Sequence, residues 1–275
     1  MLRLEHISKT FAPGTVNEKP ALQDLSLHLE KGEFATIVGS NGAGKSTLFN
    51  AIAGSFLVDS GSVTLAGQDV TFLPEHQRAK HMSRLFQDPM GGTAPGMTIG
   101  ENLALAAGRG GWLSRPTRED RERFRERLRL LNMGLEDRMD QPVGLLSGGQ
   151  RQALTLLMAT MVPPWLLLLD EHTAALDPAT AEKVLELTRR ITREEGITTL
   201  MITHDMTQAL TMGSRTLMMD SGRIVLDVRG AERESMTVED LLRRFREGAG
   251  RALEDDRVLL SRGQKKKVEE NEENV

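Results

Sequence analysis

The chain has 275 residues, a formal net charge of −4, 4% aromatics and neither Cys nor Tyr. That length holds one large domain or two modest ones. The charge balance gives no global basic field for nucleic acid or anionic lipid, the scarcity of aromatics leaves few stacking platforms for single-stranded bases, and the absence of Cys excludes disulfides and thiolate sites.

Leu2, Leu4 and Ile7 predict a first strand, and Leu22, Leu25, Leu27 and Leu29 alternate as a second. Between them, Ala12–Thr15 and Asn17–Pro20 carry turn chemistry. Phe11, just before this loop, reads either as a strand-end core residue or as a ring that stacks on a purine. Phe34–Val38 is a short apolar run suited to a buried parallel strand, and Leu48, Phe49, Ile52 and Ala53 mark one face of a following helix. Asp59–Ser62 reads as a turn, Val63 and Leu65 as a strand, Pro74–His81 as a short surface helix and Met82–Phe86 as another strand.

From Gly91 the texture changes to loose Gly-rich linkers and helices. Thr98 is placed to cap the segment carrying Asn102–Ala107, and Thr117 to cap an amphipathic helix with Phe124, Leu128 and Leu131 as its stripe. The arginines of that helix alternate with Glu and Asp, which predicts a solvated, self-paired face rather than a nucleic-acid surface. We read about 89–160 as a helical insertion within an α/β core. The core resumes at Trp165–Asp170. A helix over Ala179–Glu195 stops at Gly196, and a buried strand over Thr198–Thr203 precedes a helix over Asp205–Met212. A hairpin turns at Asp220–Gly222, and Thr237–Phe245 forms a last helix. From 248 to 275 the chain is mostly charged and is expected to be disordered. No apolar run approaches the ~20 residues of a membrane-spanning helix, and Met1–Glu5 lacks a signal-peptide pattern. A membrane role is therefore expected to come through a partner.

The chemistry is concentrated between strand and helix at Gly39–Thr47, which reads Gly-Ser-Asn-Gly-Ala-Gly-Lys-Ser-Thr. This fits the phosphate-loop pattern G-x-x-x-x-G-K-[ST] in its required strand–loop–helix context. Backbone N–H groups of Ser40, Asn41, Gly42, Ala43 and Gly44 can form an anion nest, reinforced by the helix N-terminus. Lys45 can reach the β- and γ-phosphates, and the Ser46 hydroxyl can hold Mg²⁺. The apolar strand Leu166–Leu169 ends in Asp170, followed at once by Glu171. An Asp there can help hold Mg²⁺, and Glu171 is placed to orient or deprotonate water. Ser147-Gly148-Gly149-Gln150 opens onto the apolar helix Ala153–Met161. It reads either as a second anion site at a helix N-terminus or as a capped helix with a glycine turn.

Taken together, these stretches closely resemble the ATP-binding subunit of ABC transporters over about 2–246. Gly39–Thr47 looks like the Walker A motif, Gln87 like the Q-loop glutamine and Leu146–Gln150 like the family signature. Asp170 and Glu171 resemble Walker B and the catalytic glutamate, Ala175–Asp177 the D-loop, and His204 the switch histidine. Phe11 falls where the family places its adenine-stacking aromatic. One departure is His172, where the family has Pro after the glutamate. It reads as a tolerated change of loop geometry, against the alternative of a pH switch.

The resemblance implies an α/β fold of the P-loop NTPase (RecA-like) type, with an antiparallel β subdomain and the inserted α-helical subdomain, in an ATP-binding domain spanning 1–247. It implies ATP and Mg²⁺ as cofactors, with Ser46, Gln87 and Asp170 as metal-holding residues and Lys45, Glu171 and His204 as catalytic ones. It implies a head-to-tail homodimer in which Ser147, Gly148, Gly149 and Gln150 of one copy complete the site of the other, with Asp177 connecting the two sites. The expected partners are an integral-membrane permease and an extracytoplasmic solute-binding protein, with the chain peripheral on the cytoplasmic face of the membrane. Gly14–Lys19 and Asp170–Ala175 look like a subgroup serving lipoprotein-dependent uptake of amino-acid-like solutes. The competing readings are a soluble ABC ATPase of DNA repair or translation and an ordinary phosphate-loop kinase or GTPase. Repair proteins of this type carry long coiled coils, whereas this insertion has no sustained heptads. Translation-type proteins usually carry two such domains on one chain, whereas this chain has one phosphate loop. Kinases and GTPases have no use for Leu146–Gln150.

Overall fold

A computed structural model describes residues 1–86, 88–108 and 117–249. In chain order the strands and helices begin with β1 (Leu2–Phe11), β2 (Lys19–Leu29), β3 (Phe34–Gly39), α1 (Lys45–Ala53), β4 (Ser60–Leu65), β5 (Gln68–Asp69), α2 (Glu75–Arg78) and β6 (Met82–Leu85). The middle of the chain holds α3 (Ile99–Ala106), α4 (Arg118–Arg129) and α5 (Gly148–Ala159). There follow β7 (Leu166–Asp170), α6 (Pro178–Glu194), β8 (Thr198–Ile202), α7 (Met206–Thr211), β9 (Arg215–Asp220), β10 (Arg223–Arg229), α8 (Gly230–Glu234) and α9 (Val238–Ala249).

Two sheets result. One has the order β2-β1-β4-β5 and is antiparallel; the other has the order β10-β9-β3-β8-β7-β6. In the second sheet every pairing is parallel except β10 with β9. This is the expected α/β core with its antiparallel subdomain and helical insertion.

The run Leu166–Leu169 shows why a continuous apolar strand belongs at the centre. Leu166 and Leu168 pack into the core shared with α1 and the antiparallel sheet, while Leu167 and Leu169 pack into the core formed with α3–α6. A strand buried on both faces has no polar side, so its residues do not alternate. Both cores meet along this strand, which ends at Asp170, one residue before Glu171. The helical insertion folds as its caps dictate: Thr98 with Glu101 and Thr117 with Asp120 form reciprocal capping boxes. Four arginines of α4 pair with acids, Arg123 with Asp120 and Arg125 with Glu122 on the helix itself as expected, and Arg121 with Asp140 and Arg127 with Glu195 beyond it.

Two readings need correction. Lys19 and Pro20 are not turn residues but the start of β2, paired with Phe11 and Thr10. Pro is tolerated because β2 lies at a sheet edge. The Pro74–His81 segment is helical only over Glu75–Arg78 and is not merely superficial, because Arg78 is buried. Its guanidinium donates to the carbonyls of Ala51 and Ile52 in the last turn of α1, and to those of Leu73 and Thr71. A cation on the carbonyl end of a helix is favourable, so α2 is tied to α1. The last helix runs past Phe245 to Ala249. The charged tail beyond it, and Gln87, lie outside the described residues.

Candidate functional site

The buried strand β3 carries the chain to Gly39, and α1 starts at Lys45, so residues 40–44 must turn within a short span. Gly44 makes this possible as the helix N-cap at φ +100°. A Cβ there would sit 2.6 Å from the Ala21 carbonyl oxygen, so only glycine fits. Lys45 is 6% exposed. Its ammonium donates to the Gly39 oxygen at 2.7 Å and the Ser40 oxygen at 3.0 Å, folded over the loop it follows.

The loop opens on a cleft of about 320 Å³ lined by Asn41, Gly42, Ala43, Gly44, Lys45, Ser46 and Thr47 from the loop and α1. Glu171 and His204 line it from the ends of β7 and β8, and Lys19 and Ala21 from β2. The tips of parallel strands thus converge where backbone N–H groups and a lysine gather. Such a cleft suits an anionic ligand at a helix N-terminus.

Glu171 sits in the left-handed region at φ +47°, an uncommon conformation for a residue with a side chain. Its N–H donates to the Ile202 oxygen at 3.1 Å, and its carboxylate pairs with His204 Nε2. His204 is held in turn by its neighbours. Asp205 caps α7 by accepting from Thr207 and Gln208, and the Thr203 hydroxyl donates to Gln208 Oε1. A carboxylate and an imidazole in contact beside the phosphate loop can align a water and exchange a proton.

Asp170 Oδ2 accepts from Arg84 Nη2 at 2.9 Å, and Arg84 Nη1 donates to Asn50 Oδ1 on α1 at 2.6 Å. Among the described residues no three His, Asp or Glu side chains gather as a metal cage. Mg²⁺ is usually held by one or two protein oxygens together with substrate phosphates. Ser46 in the cleft and Asp170 at the end of β7 could supply such oxygens.

The structure places the remaining candidates elsewhere. Phe11 is 39% exposed, in edge-to-face contact with Phe56 at 5.4 Å between ring centroids. It is the cross-strand partner of Lys19, which does line the cleft. Ser147, Gly148, Gly149, Gln150 and Asp177 are not among the cleft's lining residues. They form a second cluster at the N-termini of α5 and α6. Ser147 caps α5 by accepting from the Gln150 N–H while Gln150 Oε1 accepts from the Ser147 N–H. Asp177 caps α6 by accepting from the Thr180 N–H, and hydrogen bonds with Thr180 hold its carboxyl below the usual range. The capped-helix reading of Ser147–Gln150 is therefore present in the geometry, and it leaves further N–H groups of the first turn without helical partners.

His172 is buried under α6. The Thr188 hydroxyl donates to the Val184 oxygen at 2.8 Å, so His172 Nε2, 3.2 Å away, must donate to Thr188. Nδ1 is then the unprotonated nitrogen, and it is buried without a partner. Desolvation lowers the imidazole pKa to about 4.

Three residues at the cleft or in contact with Asp170 and its partner Arg84 are absent from the sequence reading of the site. Lys19 was hidden because its segment reads as a turn. Arg84 and Asn50 look like ordinary strand and helix residues until β6 is laid beside β7.

The sequence model of the family described as "ABC transporter" matches residues 22–174. A tyrosine transport ATP-binding protein of Clostridioides difficile is 44% identical over 247 residues, covering 89% of this chain and 98% of the relative. A lipoprotein-releasing system ATP-binding protein of Caulobacter vibrioides, LolD 1, is 38% identical, covering 81% and 94%. A spermidine/putrescine import ATP-binding protein of Thermobifida fusca, PotA, is 39% identical over 223 residues, and the match spans only 56% of its length. Among solved structures, the dimeric post-hydrolysis state of the ATP-binding cassette MJ0796 with ADP and Pi superposes with a TM-score of 0.71. It has 28% identity and covers 83% of this chain and 98% of that one.

Proposed function

The chain belongs to the ABC transporter family as an ATP-binding, ATP-hydrolysing subunit, and from that premise we propose that it energises uptake of an amino-acid-like solute through a separate membrane permease. The observation that carries the catalytic half is the cleft in which the phosphate loop faces the paired Glu171 and His204. The solute class rests on the near full-length likeness to a tyrosine transport subunit.

In this reading the amides of 40–44 and Lys45 neutralise the triphosphate, and Phe11 stacks on the adenine. Lys19 adds a further cation at the cleft. Ser46, Gln87 and Asp170 would hold Mg²⁺, which when bound offsets charge on the β- and γ-phosphates. Glu171 takes the proton of the attacking water, and His204 contacts the γ-phosphate. The site is half of a composite. Ser147, Gly148, Gly149 and Gln150 of a second copy close over the nucleotide, and Asp177 links the two halves. Charge-assisted hydrogen bonds contribute roughly 1.5–3 kcal/mol each, so several made to a γ-phosphate across the interface favour closure, and hydrolysis removes them. That difference between ATP and ADP states is a coupling free energy available for transport. The domain spans 1–247, and among the described residues no helix is long and apolar enough to cross a membrane. In this reading the chain docks at the cytoplasmic membrane face through the permease, which receives solute from an extracytoplasmic binding protein.

The test is reconstitution of the chain with its permease and binding protein in proteoliposomes. ATP-driven accumulation of labelled tyrosine or a related amino acid is expected. Glu171→Gln should abolish it, with turnover lowered about 10²–10⁴-fold. Accumulation of an unrelated solute class would overturn the solute reading, and near-normal turnover in Glu171→Gln would overturn the catalytic one.

A further inference from the structure

We propose that Arg84 is a positioning residue that braces the Asp170 carboxylate against the phosphate-loop helix and so sets the metal affinity of the site. The proposal rests on the reading of Asp170 as a metal-holding residue.

Arg84 lies on β6 beside Leu168 of β7, two residues before Asp170. Its side chain runs forward along the sheet to the strand tip, where it forks. Nη2 donates to Asp170 Oδ2 at 2.9 Å and Nη1 to Asn50 Oδ1 at 2.6 Å. Both members of the ion pair are largely withdrawn from water, with side-chain exposures of 13% for Arg84 and 15% for Asp170. The guanidinium carbon lies 4.8 Å from the Phe86 ring centre and 6.0 Å from that of Phe49. Arg84 Nε is buried without a partner, so the two terminal contacts and the rings fix the group.

This arrangement joins three elements that a metal–nucleotide site must keep in register. Asn50 belongs to the helix that begins at Lys45 and Ser46, Asp170 ends β7, and Arg84 and Phe86 lead into Gln87. A planar fork serves both acceptors at once, which the single ammonium of Lys cannot reproduce. Asp170 is followed directly by Glu171, which lines the cleft, and a carboxylate withdrawn from water without a counter-charge is costly. Arg84 supplies that counter-charge and, by occupying Oδ2, fixes the orientation of the carboxylate. A cation beside a metal site weakens the attraction for Mg²⁺, so Arg84 raises affinity only because the carboxylate orientation it fixes outweighs that repulsion. Outer partners of metal-holding groups typically control affinity by 10–100-fold.

The experiment measures Mn²⁺ binding to the purified full chain with nucleotide by electron paramagnetic resonance, nucleotide binding in excess chelator, and thermal melting. Arg84→Lys and Arg84→Met should each raise the Mn²⁺ half-saturation concentration by about tenfold, with chelator-state nucleotide affinity within about twofold. Asn50→Ala, which removes only the other anchor, should shift it in the same direction by less, and it carries the test if the Arg84 variants fail to fold. A lowered melting temperature with unchanged Mn²⁺ half-saturation would overturn the proposal. Asp170→Asn separates the two readings. If it shifts Mn²⁺ binding and the Arg84 and Asn50 variants do not, Arg84 has no positioning role. If Asp170→Asn itself leaves Mn²⁺ binding unchanged, the metal reading of Asp170 fails.

Discussion

His172 stands where the family carries Pro, one residue after Glu171, and its buried Nδ1 decides what it can do with a proton. Burial desolvates the charged imidazolium, which lowers the pKa to about 4, and protonation would also place a proton on a nitrogen that has no acceptor. The imidazole is then neutral throughout the neutral range, and the pH-switch reading loses its physical basis. Its consequence lies in stability. The folded pKa is below the ordinary value of 6.5, so between these values the unfolded chain binds more protons and stability is lost as pH falls from 6.5 towards 4. Over the whole window the loss amounts to about 3 kcal/mol. His172→Pro should therefore keep a constant melting-temperature offset from the parent between pH 8 and 6.5, then gain relative to it on acidification. Its ATPase pH–rate profile near neutrality should match the parent's, and a displacement of a full unit would contradict the buried-neutral assignment. At this scale the sequence was most legible where one residue type has a fixed geometric task, as in Gly44, whose positive φ and close approach to the Ala21 oxygen only glycine meets. It was least legible for Lys19, Arg84 and Asn50, whose contacts come from cross-strand register and side-chain reach.

Helices α5 and α6 show what a motif owes to packing rather than chemistry. Gly148 and Gly149 look equivalent in the sequence, as glycines that let backbone approach an anion. A Cβ on Gly148 would find its nearest neighbour, Leu176 Cδ2, at 3.7 Å, whereas one on Gly149 would lie 2.0 Å from Thr180 Cγ2. A side chain at position 149 would thus force Thr180 to move at the close contact of α5 with α6, even before any nucleotide is considered. Gly149→Ala should destabilise the chain by about 1–3 kcal/mol, the usual scale of overpacking, measured as a lowered urea midpoint. Thr180→Ser removes the offending methyl and should restore most of the loss, as a non-additive pair in a double-mutant cycle. Additive effects would mean that Gly149 answers to some other constraint. The elements themselves were largely foreseeable, because caps such as Thr98 and Thr117 act over three residues. The β2 start at Lys19 and the buried side of α2 were not, since one depends on pairing with Phe11 and the other on Arg78 reaching α1.

On the scale of the whole molecule, the phosphate loop and the signature turn lie on separate clusters of one chain. The cleft gathers 41–47 with Glu171 and His204, while Ser147–Gln150 sits beside Asp177 at the N-termini of α5 and α6. On the proposed reading, the phosphate-loop cleft and the capped turn among the described residues are complementary halves that a head-to-tail pair would join twice. The topology that separates them was legible only through the family resemblance, because nothing in local pattern tells which helix N-terminus faces a partner. The arrangement makes a stoichiometric prediction. Lys45→Ala and Ser147→Arg chains should each be inactive alone, the first lacking the phosphate cation in both sites and the second blocking both with a bulky side chain. A mixed dimer places both defects in one composite site and leaves the other intact, so mixing should recover ATPase activity towards that of a single working site. Titrating one variant into the other and following phosphate release gives the recovery curve. If Ser147→Arg alone retains full activity, the cleft works without a second copy, and the division of the site between two chains is wrong.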